Sequence, residues 1–310
     1  MKLPIVKCHG SGNDFPMIDV RGAVVDPAHW PAIARILADR SGPVGGDGLL
    51  LLKDGVGDSA FGFAMYNSDG SEAETCLNGL RCVARAGFEA LGIGHARVAL
   101  ATSTATVERV ADLAPGVYTV LETAGPSSLD VTAWPMAIDR IENVERAIEA
   151  LPGDRALTAV AIPNPHLIAF VDTVDDAELV AIGLACEAAP AWLPRRANVS
   201  FVEQRGPDLF VRTHERGVGL TNACGSAMAA STFAAALTGR IGYGTDTTVF
   251  NRGGMVRATA HADRMVSLAG NATYEWSGTM DLSSDALPVT IDRRYPDEIA
   301  AWDAVRERVA

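Results

Sequence analysis

The feature that most constrains the fold is a pattern of strand, turn, cysteine and helix that occurs twice. In the first half an apolar run ends at Tyr66, and Cys76 follows ten positions later at the start of a helix-like stretch. In the second half an alternating run ends at His214, and Cys224 again follows ten positions later. The two cysteines are 148 positions apart. This repetition predicts two similar half-proteins, each with a cysteine where a loop becomes a helix.

The remaining pattern predicts a mixed α/β (α+β) architecture, because short β-branched apolar runs alternate with Ala-rich stretches. Predicted strands cover 3–7, 49–52, 61–66 and 208–214, and predicted helices cover 30–39, 77–91, 225–237 and 297–308. Gly92 and Gly239 end the two helices that follow the cysteines. The stretch 122–154 is irregular, so a domain boundary is expected near residue 124. Residues from about 283 onward are charged and polar and resemble an appendage.

Charge and cysteine content exclude several classes of protein. The formal net charge is −12, which disfavours nucleic acid and anionic membrane surfaces as partners. No apolar run is long enough for a membrane span, and the first residues do not resemble a signal peptide. Five cysteines without a CxxC pair or zinc-finger spacing argue against a disulfide scaffold and against a metal site. We therefore expect a cytoplasmic protein with reduced thiols and no metal.

A cysteine at the start of a helix has a specific chemistry. The first N–H groups of a helix lack partners inside the helix and carry partial positive charge, which lowers the pKa of a thiol and binds a carboxylate. Two such helix starts, from Cys76 and Cys224, would hold one carboxylate between two thiols and serve opposite faces of the adjacent carbon. The alternative is that cysteine only fills a core, which is the expectation for Cys8, Cys82 and Cys186.

Several motifs around these cysteines resemble those of the diaminopimelate epimerases, in the two-thiol, pyridoxal-independent epimerase superfamily. In the first half they are Lys7-Cys8-His9-Gly10-Ser11-Gly12-Asn13-Asp14-Phe15, Tyr66-Asn67-Ser68-Asp69-Gly70-Ser71-Glu72 and Cys76-Leu77-Asn78-Gly79-Leu80-Arg81-Cys82. In the second half they are Pro163-Asn164-Pro165-His166, Asn198, His214-Glu215-Arg216-Gly217, Ala223-Cys224-Gly225-Ser226 and Gly270-Asn271-Ala272-Thr273. The resemblance covers residues 3 to 282, in the order found in the family.

The resemblance implies a fold of two similar halves, each a β-sheet wrapped around a central helix, with the active site in the interdomain cleft. The expected domains are 1–124 plus a returning strand at 270–284, then 125–269, with 285–310 as a C-terminal extension. The implied activity is interconversion of LL- and meso-2,6-diaminopimelate, in lysine and peptidoglycan precursor biosynthesis. The implied enzyme needs no cofactor, acts on a small amino acid and is a possible homodimer.

The resemblance also assigns roles to single residues. Cys76 and Cys224 are the expected acid/base pair, with His166 supporting Cys76 and Glu215 supporting Cys224. The residues expected to bind substrate are Asn13, Gly48, Asn67, Leu77, Asn78, Asn164, Asn198, Glu215, Arg216, Gly225 and Ser226. Among these, the backbone N–H groups of Leu77, Asn78, Gly225 and Ser226 would hold the reacting carboxylate, and Arg216 would pair with the distal one.

Other functions remain open at the level of sequence. Leu77, Pro163 and the pair Ala227-Met228 depart from the family pattern, which leaves room for a racemase or epimerase of another amino acid, such as histidine or hydroxyproline, or for a one-cysteine dehydratase. A thiol redox protein, with Cys76 and Cys224 forming a reversible disulfide, is less favoured without a CxxC pair. An inactive binding protein would bind the ligand without exchanging its α-proton.

Overall fold

A computed structural model describes residues 2–73 and 76–308, and its chain divides into two compact units. One unit comprises the chain up to Glu122 together with Ala269–Arg308, and the other comprises Thr123–Leu268. Both contain strands packed around a helix, so the predicted α+β class is confirmed. No helix in the described ranges is long and apolar enough to cross a membrane.

The first unit begins with eight strands and two helices. They are β1 (Lys2–Gly10), β2 (Asn13–Asp19), α1 (Trp30–Ala38), β3 (Gly48–Asp54), β4 (Phe61–Asn67), β5 (Glu72–Ala73), α2 (Leu77–Leu91), β6 (His95–Ala99), β7 (Thr104–Val110) and β8 (Thr119–Ala124), the last of which ends at the division between the units. The pairs β1–β2, β3–β4, β4–β5 and β6–β7 are antiparallel, and the pairs β2–β3 and β4–β6 are parallel.

The second unit repeats this arrangement. Its elements are β9 (Thr158–Ala161), β10 (Pro165–Val171), α3 (Asp176–Glu187), β11 (Asn198–Arg205), β12 (Asp208–Glu215), β13 (Gly219–Thr221), α4 (Gly225–Leu237), β14 (Thr247–Asn251), β15 (Gly254–Ala260) and β16 (Val266–Asn271), which runs into the first unit. The pairs β9–β10, β11–β12, β12–β13 and β14–β15 are antiparallel, and the pairs β10–β11 and β12–β14 are parallel. Each of the six pairings named for the first unit has its counterpart here, so the prediction of two similar halves is confirmed.

The helix that follows each cysteine is the centre of its unit. Ten of the 15 residues of α2 and 11 of the 13 residues of α4 are buried. Both helices have the bounds that the sequence predicts. Helix α2 ends at Gly92, whose left-handed φ of 67° is readily adopted only by glycine, and its N–H bonds the Phe88 carbonyl. Gly87 faces the Phe61 ring so closely that a Cβ would lie 2.6 Å from it, which explains the glycine inside this helix.

The C-terminal residues complete the first unit with β17 (Thr273–Asp281), β18 (Val289–Arg294) and α5 (Pro296–Arg306). Strand β17 lies between β1 and β18 and is antiparallel to both. The sequence of this segment does not indicate that it packs into the first unit, because most of its residues are polar and exposed. Strand β18 is exposed, and α5 buries only Trp302 and Val305. Residues 309 and 310 of the expected extension lie outside the described residues.

A fully buried ion pair joins α2 to β8. Arg81 Nη1 lies 2.6 Å from Glu122 Oε1, and neither side chain is exposed. Arg81 also donates to the Asn271 carbonyl and to Asn78 Oδ1, at 3.2 and 2.7 Å. Removal of one partner from such a pair leaves a buried charge without compensation, which costs far more free energy than removal of a surface pair.

We therefore expect Glu122→Ala to lower the free energy of unfolding by about 3 kcal/mol, because Arg81 would remain buried and charged. Urea denaturation of the whole protein measures this. The matched control is Asp58→Ala, which breaks the exposed Arg97–Asp58 pair and should change stability by less than about 1 kcal/mol. Equal effects of the two substitutions would contradict a structural role for the buried pair.

Candidate active site

The first half-site is built on the start of helix α2. Cys76 is the N-cap residue, with extended backbone (φ −150°, ψ 101°), and its sulfur accepts a hydrogen bond from the Gly79 N–H at 3.3 Å. The N–H groups of Leu77 and Asn78, in the first turn, have no acceptor within the helix. Cys76 is partly buried, whereas Cys8 and Cys82 are fully buried in the same unit.

Asn13 joins this helix start from the hairpin between β1 and β2. Its Oδ1 lies 4.0 Å from Cys76 Sγ and accepts a hydrogen bond from Asn78 Nδ2 at 3.4 Å. Asn13 Nδ2 in turn donates to the Asp47 carboxylate, which also accepts the Asp14 N–H. The structure therefore brings together three of the predicted residues, Asn13, Cys76 and Asn78.

Gly48 and Asn67 lie opposite one another in the β3–β4 pair. A Cβ on Gly48 would lie 2.4 Å from the Tyr66 carbonyl oxygen, so only glycine fits there. Asn67 begins the turn into β5, and its Nδ2 donates to Ser71 Oγ at 3.0 Å. This contact accounts for Asn67 as a turn residue, and its substrate-binding role remains a prediction.

The second half-site is built in the same way on helix α4. Cys224 is the N-cap residue (φ −129°, ψ 111°), and its sulfur lies 3.5 Å from Ser226 Oγ. The Glu215 carboxylate, at the end of β12, is close enough to Cys224 to act on its pKa, and it accepts a hydrogen bond from Thr221 Oγ1 at 2.5 Å. The predicted support of Cys224 by Glu215 remains a prediction.

His166 and Asn164 belong to this second half-site. His166 Nε2 lies 3.2 Å from Asn164 Oδ1, and Asn164 Nδ2 donates to Ser226 Oγ at 3.2 Å. His166 is fully buried, and its Nδ1 has no hydrogen-bond partner among the described residues. Burial, aided by the positive charge of Arg216, lowers the pKa of His166 to about 3, so the ring is neutral at pH 7. The predicted support of Cys76 by His166 remains a prediction.

Arg216 is held at the backbone by Asn198. The Arg216 N–H donates to Asn198 Oδ1 at 3.0 Å, and its Nη1 donates to the Arg195 carbonyl at 3.0 Å. Asn198 lies opposite His166 in the parallel β10–β11 pair, which places all of these groups at one end of the sheet. Glu187, which was not among the predicted site residues, accepts the next N–H, that of Gly217, at 2.9 Å.

The thiols are less acidic than their helix positions alone predict. Burial raises the pKa of Cys76 to about 12, against the opposing hydrogen bond from the Gly79 N–H. Burial, followed by the negative charge of Glu215, raises the pKa of Cys224 well above its ordinary value. The expectation of lowered pKa values is therefore wrong for the substrate-free protein, because removal of water from around a thiolate outweighs the helix terminus.

Four further residues support the site and are not among the residues predicted from sequence. The side chain of each one forms a hydrogen bond to a backbone group or a side chain of the site. They are Asp47, Arg81, Glu187 and Thr221. Asp47 stands between two glycines, which is a usable signal for a polar residue in a tight turn. In the described ranges, no three His, Cys, Asp or Glu side chains are grouped so that they could hold a metal ion.

Comparison of structures defines the fold class. A predicted epimerase of Pseudomonas aeruginosa superposes with a TM-score of 0.66 at 16% identity, covering 92% of this chain and all of that one. A hydroxyproline epimerase of Agrobacterium vitis superposes with a TM-score of 0.62 at 14% identity, covering 99% and 98%. At these identities the likeness establishes the two-domain fold and no more.

Comparison of sequences defines the family. The family model described as diaminopimelate epimerase matches residues 5–111 and 158–275. The diaminopimelate epimerase of Clostridium acetobutylicum is 37% identical over 301 residues, covering 94% of this chain and 90% of that protein. That of Synechococcus elongatus is also 37% identical, covering 92% and 100%. The chain belongs to the diaminopimelate epimerase family, and the predicted membership is confirmed.

The pKa of Cys76 leads to a prediction for the substrate-free protein. Its alkylation by iodoacetamide should accelerate by about tenfold for each pH unit between pH 7 and 9, because the thiolate fraction grows in that way below the pKa. Mass spectrometry of the Cys76 peptide gives the rate, with an unstructured cysteine peptide as the reference for reagent chemistry. A plateau in the rate below pH 8 would show that the thiol is acidic in the folded protein.

Proposed function

We propose that this protein is an isomerase that interconverts LL- and meso-2,6-diaminopimelate by a two-base proton transfer. The observation that carries the proposal is the matched pair of cysteines, each at the N-cap of the central helix of its unit, in a chain of this family. An amino-acid α-carbon loses its proton with great difficulty, so both a base and charge stabilisation are required.

Charge stabilisation comes from the helix starts. The N–H groups of Leu77 and Asn78, and those of Gly225 and Ser226, occupy the first two positions of α2 and α4. Such groups bind a carboxylate and stabilise the additional negative charge that develops on it when the α-proton leaves. They are backbone groups, so the bulk of the Leu77 side chain does not remove them.

The proton transfer balances between the two thiols. One cysteine, as thiolate, takes the proton from the α-carbon, and the other, as thiol, gives its proton to the opposite face. The product leaves with inverted configuration, and the two sulfurs have exchanged their protonation states. This role requires both sulfurs to reach the same α-carbon, and neither one can replace the other.

A thiolate must first be generated, because burial favours the protonated form of both cysteines. Glu215, which neighbours Cys224, is the proposed acceptor of its proton. The family resemblance assigns the corresponding role at Cys76 to His166, whose pKa of about 3 makes its neutral ring a weak base until substrate is bound. The ammonium group of bound substrate also favours a nearby thiolate. The substrate thus helps to produce the base that acts on it.

The distal half of the substrate is assigned to the second unit. Arg216, fixed through its N–H to Asn198, can pair with the second carboxylate. Asn13 and Asn67 of the first unit and Asn164 and Asn198 of the second would supply amide groups for the ammonium and carboxylate groups of the whole substrate. Glu215 and Gly48 border these positions in the proposed site. Binding energy from the distal end positions the reacting carbon between the sulfurs.

The setting of the protein is part of the same proposal. The five thiols of the chain are all unpaired, which suits a reducing cytoplasm, and the family resemblance supports a homodimer. Analytical ultracentrifugation measures the oligomeric state. A monomer at micromolar concentration would refute the dimer without affecting the catalytic proposal.

We expect Cys76→Ala and Cys224→Ala each to lower interconversion by at least about a thousandfold, since each thiol serves one face of the carbon. NMR in heavy water, following loss of the α-proton signal of diaminopimelate and appearance of the second isomer, measures this. The matched controls Cys82→Ala and Cys186→Ala remove buried thiols, one from each unit, and should keep most of the activity. Appreciable interconversion by either active-site variant would refute the two-base mechanism.

We expect Arg216→Lys to lower kcat/KM for diaminopimelate by at least tenfold, about 1.4 kcal/mol, because lysine keeps the charge but loses the bidentate geometry. The control Arg205→Lys alters an exposed arginine that pairs with Glu203 in the same unit and should leave kcat/KM unchanged. If the parent protein converts a monocarboxylic amino acid faster than diaminopimelate, the substrate assignment fails and the two-base assignment stands.

A further inference from the structure

The C-terminal helix α5 lies outside the part of the chain that the family model matches, which ends at residue 275. It nevertheless packs into the first unit. Trp302 is only 2% exposed, and its ring centroid lies 5.9 Å from that of His9, with the ring planes at 52°. Aromatic rings at this separation attract each other and bury a large apolar area.

The His9 side chain forms a hydrogen bond with the turn that leads into Asn13. Its Nδ1 accepts the Gly12 N–H at 3.4 Å and lies 3.2 Å from Asn271 Nδ2, while Asn271 Oδ1 accepts the Ser11 N–H at 2.6 Å. Ser11 and Gly12 have left-handed φ values of 54° and 80°, which turn the chain into β2. Trp302 therefore supports the ring on which this turn depends.

A second contact from α5 reaches the helix that carries Cys76. The Glu298 carboxylate binds Arg85 of α2 through both of its oxygens, at 2.5 and 2.8 Å, and accepts the Tyr274 N–H at 3.1 Å. Arg85 also donates to the Ala272 carbonyl at 2.8 Å. Bidentate arginine–carboxylate pairs fix orientation as well as distance. Helix α5 thus holds both the turn before Asn13 and the helix after Cys76.

We propose that α5 is a positioning element of the active site, in which Trp302 on His9 and Glu298 on Arg85 hold the Asn13 amide against the Cys76 thiol. Those two groups approach to 4.0 Å, between Oδ1 and Sγ. Helix α5 contacts His9, at the end of β1 before the Asn13 turn, and Arg85, in the helix that follows Cys76. Misplacement of a reacting group by about 1 Å can cost a hundredfold in rate. The effect on turnover rests on the proposed function, whereas the effect on the thiol does not.

The test compares Trp302→Leu, which keeps an apolar side chain in the core, with the conservative Trp302→Phe, which keeps a ring against His9. Competitive iodoacetamide labelling with mass spectrometry gives the alkylation rate of Cys76 relative to Cys224, which lies in the other unit. Cys8 and Cys82 report general unfolding, because both are fully buried. Ile299→Ala, an exposed position on the same helix, is the control.

For Trp302→Leu we expect the relative alkylation rate of Cys76 to change by about threefold or more, and kcat for diaminopimelate to fall by about tenfold with a smaller change in KM. Trp302→Phe should keep the relative alkylation rate of Cys76 and the kcat close to those of the parent. Glu298→Gln should give values between those of Trp302→Leu and Trp302→Phe. Unchanged Cys76 labelling in Trp302→Leu, or labelling of Cys8 and Cys82 in step with Cys76, would overturn the proposal. If the parent lacks epimerase activity, the proposed function fails and the labelling still decides this inference.

Discussion

The structure depends on a single constraint, the polar start of a buried helix. Most residues of helices α2 and α4 are buried in their units, so the first N–H groups of these helices need acceptors that water and the helix do not supply freely. A cysteine N-cap is a weak acceptor compared with serine or aspartate, and it leaves the helix start suited to a carboxylate ligand. The stability of the core and the proposed binding of substrate therefore draw on the same groups.

Burial and the helix N-terminus shift the pKa values of the two thiols in opposite directions, and burial has the larger effect. A helix N-terminus contributes about 1 kcal/mol to a nearby negative charge, whereas loss of hydration raises the pKa of Cys76 to about 12. The resting thiols are consequently protonated and weakly reactive. This is useful in the proposed reaction, because a strong base is produced only when substrate supplies the charges that compensate it.

The sequence predicts the two central helices to the residue because their boundaries are local: a cysteine in a polar loop begins each one, and glycine at 92 or 239 follows its end. It also predicts the repeat, since the strand before each cysteine has the same spacing. It does not predict the thiol pKa values, which depend on tertiary burial. Nor does it predict that Trp302 packs on His9, because a contact between the two ends of the chain leaves no local pattern.

The two units share six strand pairings around their central helices, but they differ where β4 and β12 end. Strand β4 ends at Asn67, whose side chain bonds within its own turn, whereas β12 ends at Glu215, followed by Arg216. The shared scaffold supplies what a two-base reaction needs twice, a thiol and a helix start. In the proposed reaction, the differences would supply what is needed once, an acid/base partner of Cys224 and a cation for one distal carboxylate. The proposed reaction needs two equivalent thiols around one α-carbon and one binding site for the rest of the substrate. A duplicated scaffold with one specialised strand end is suited to both needs.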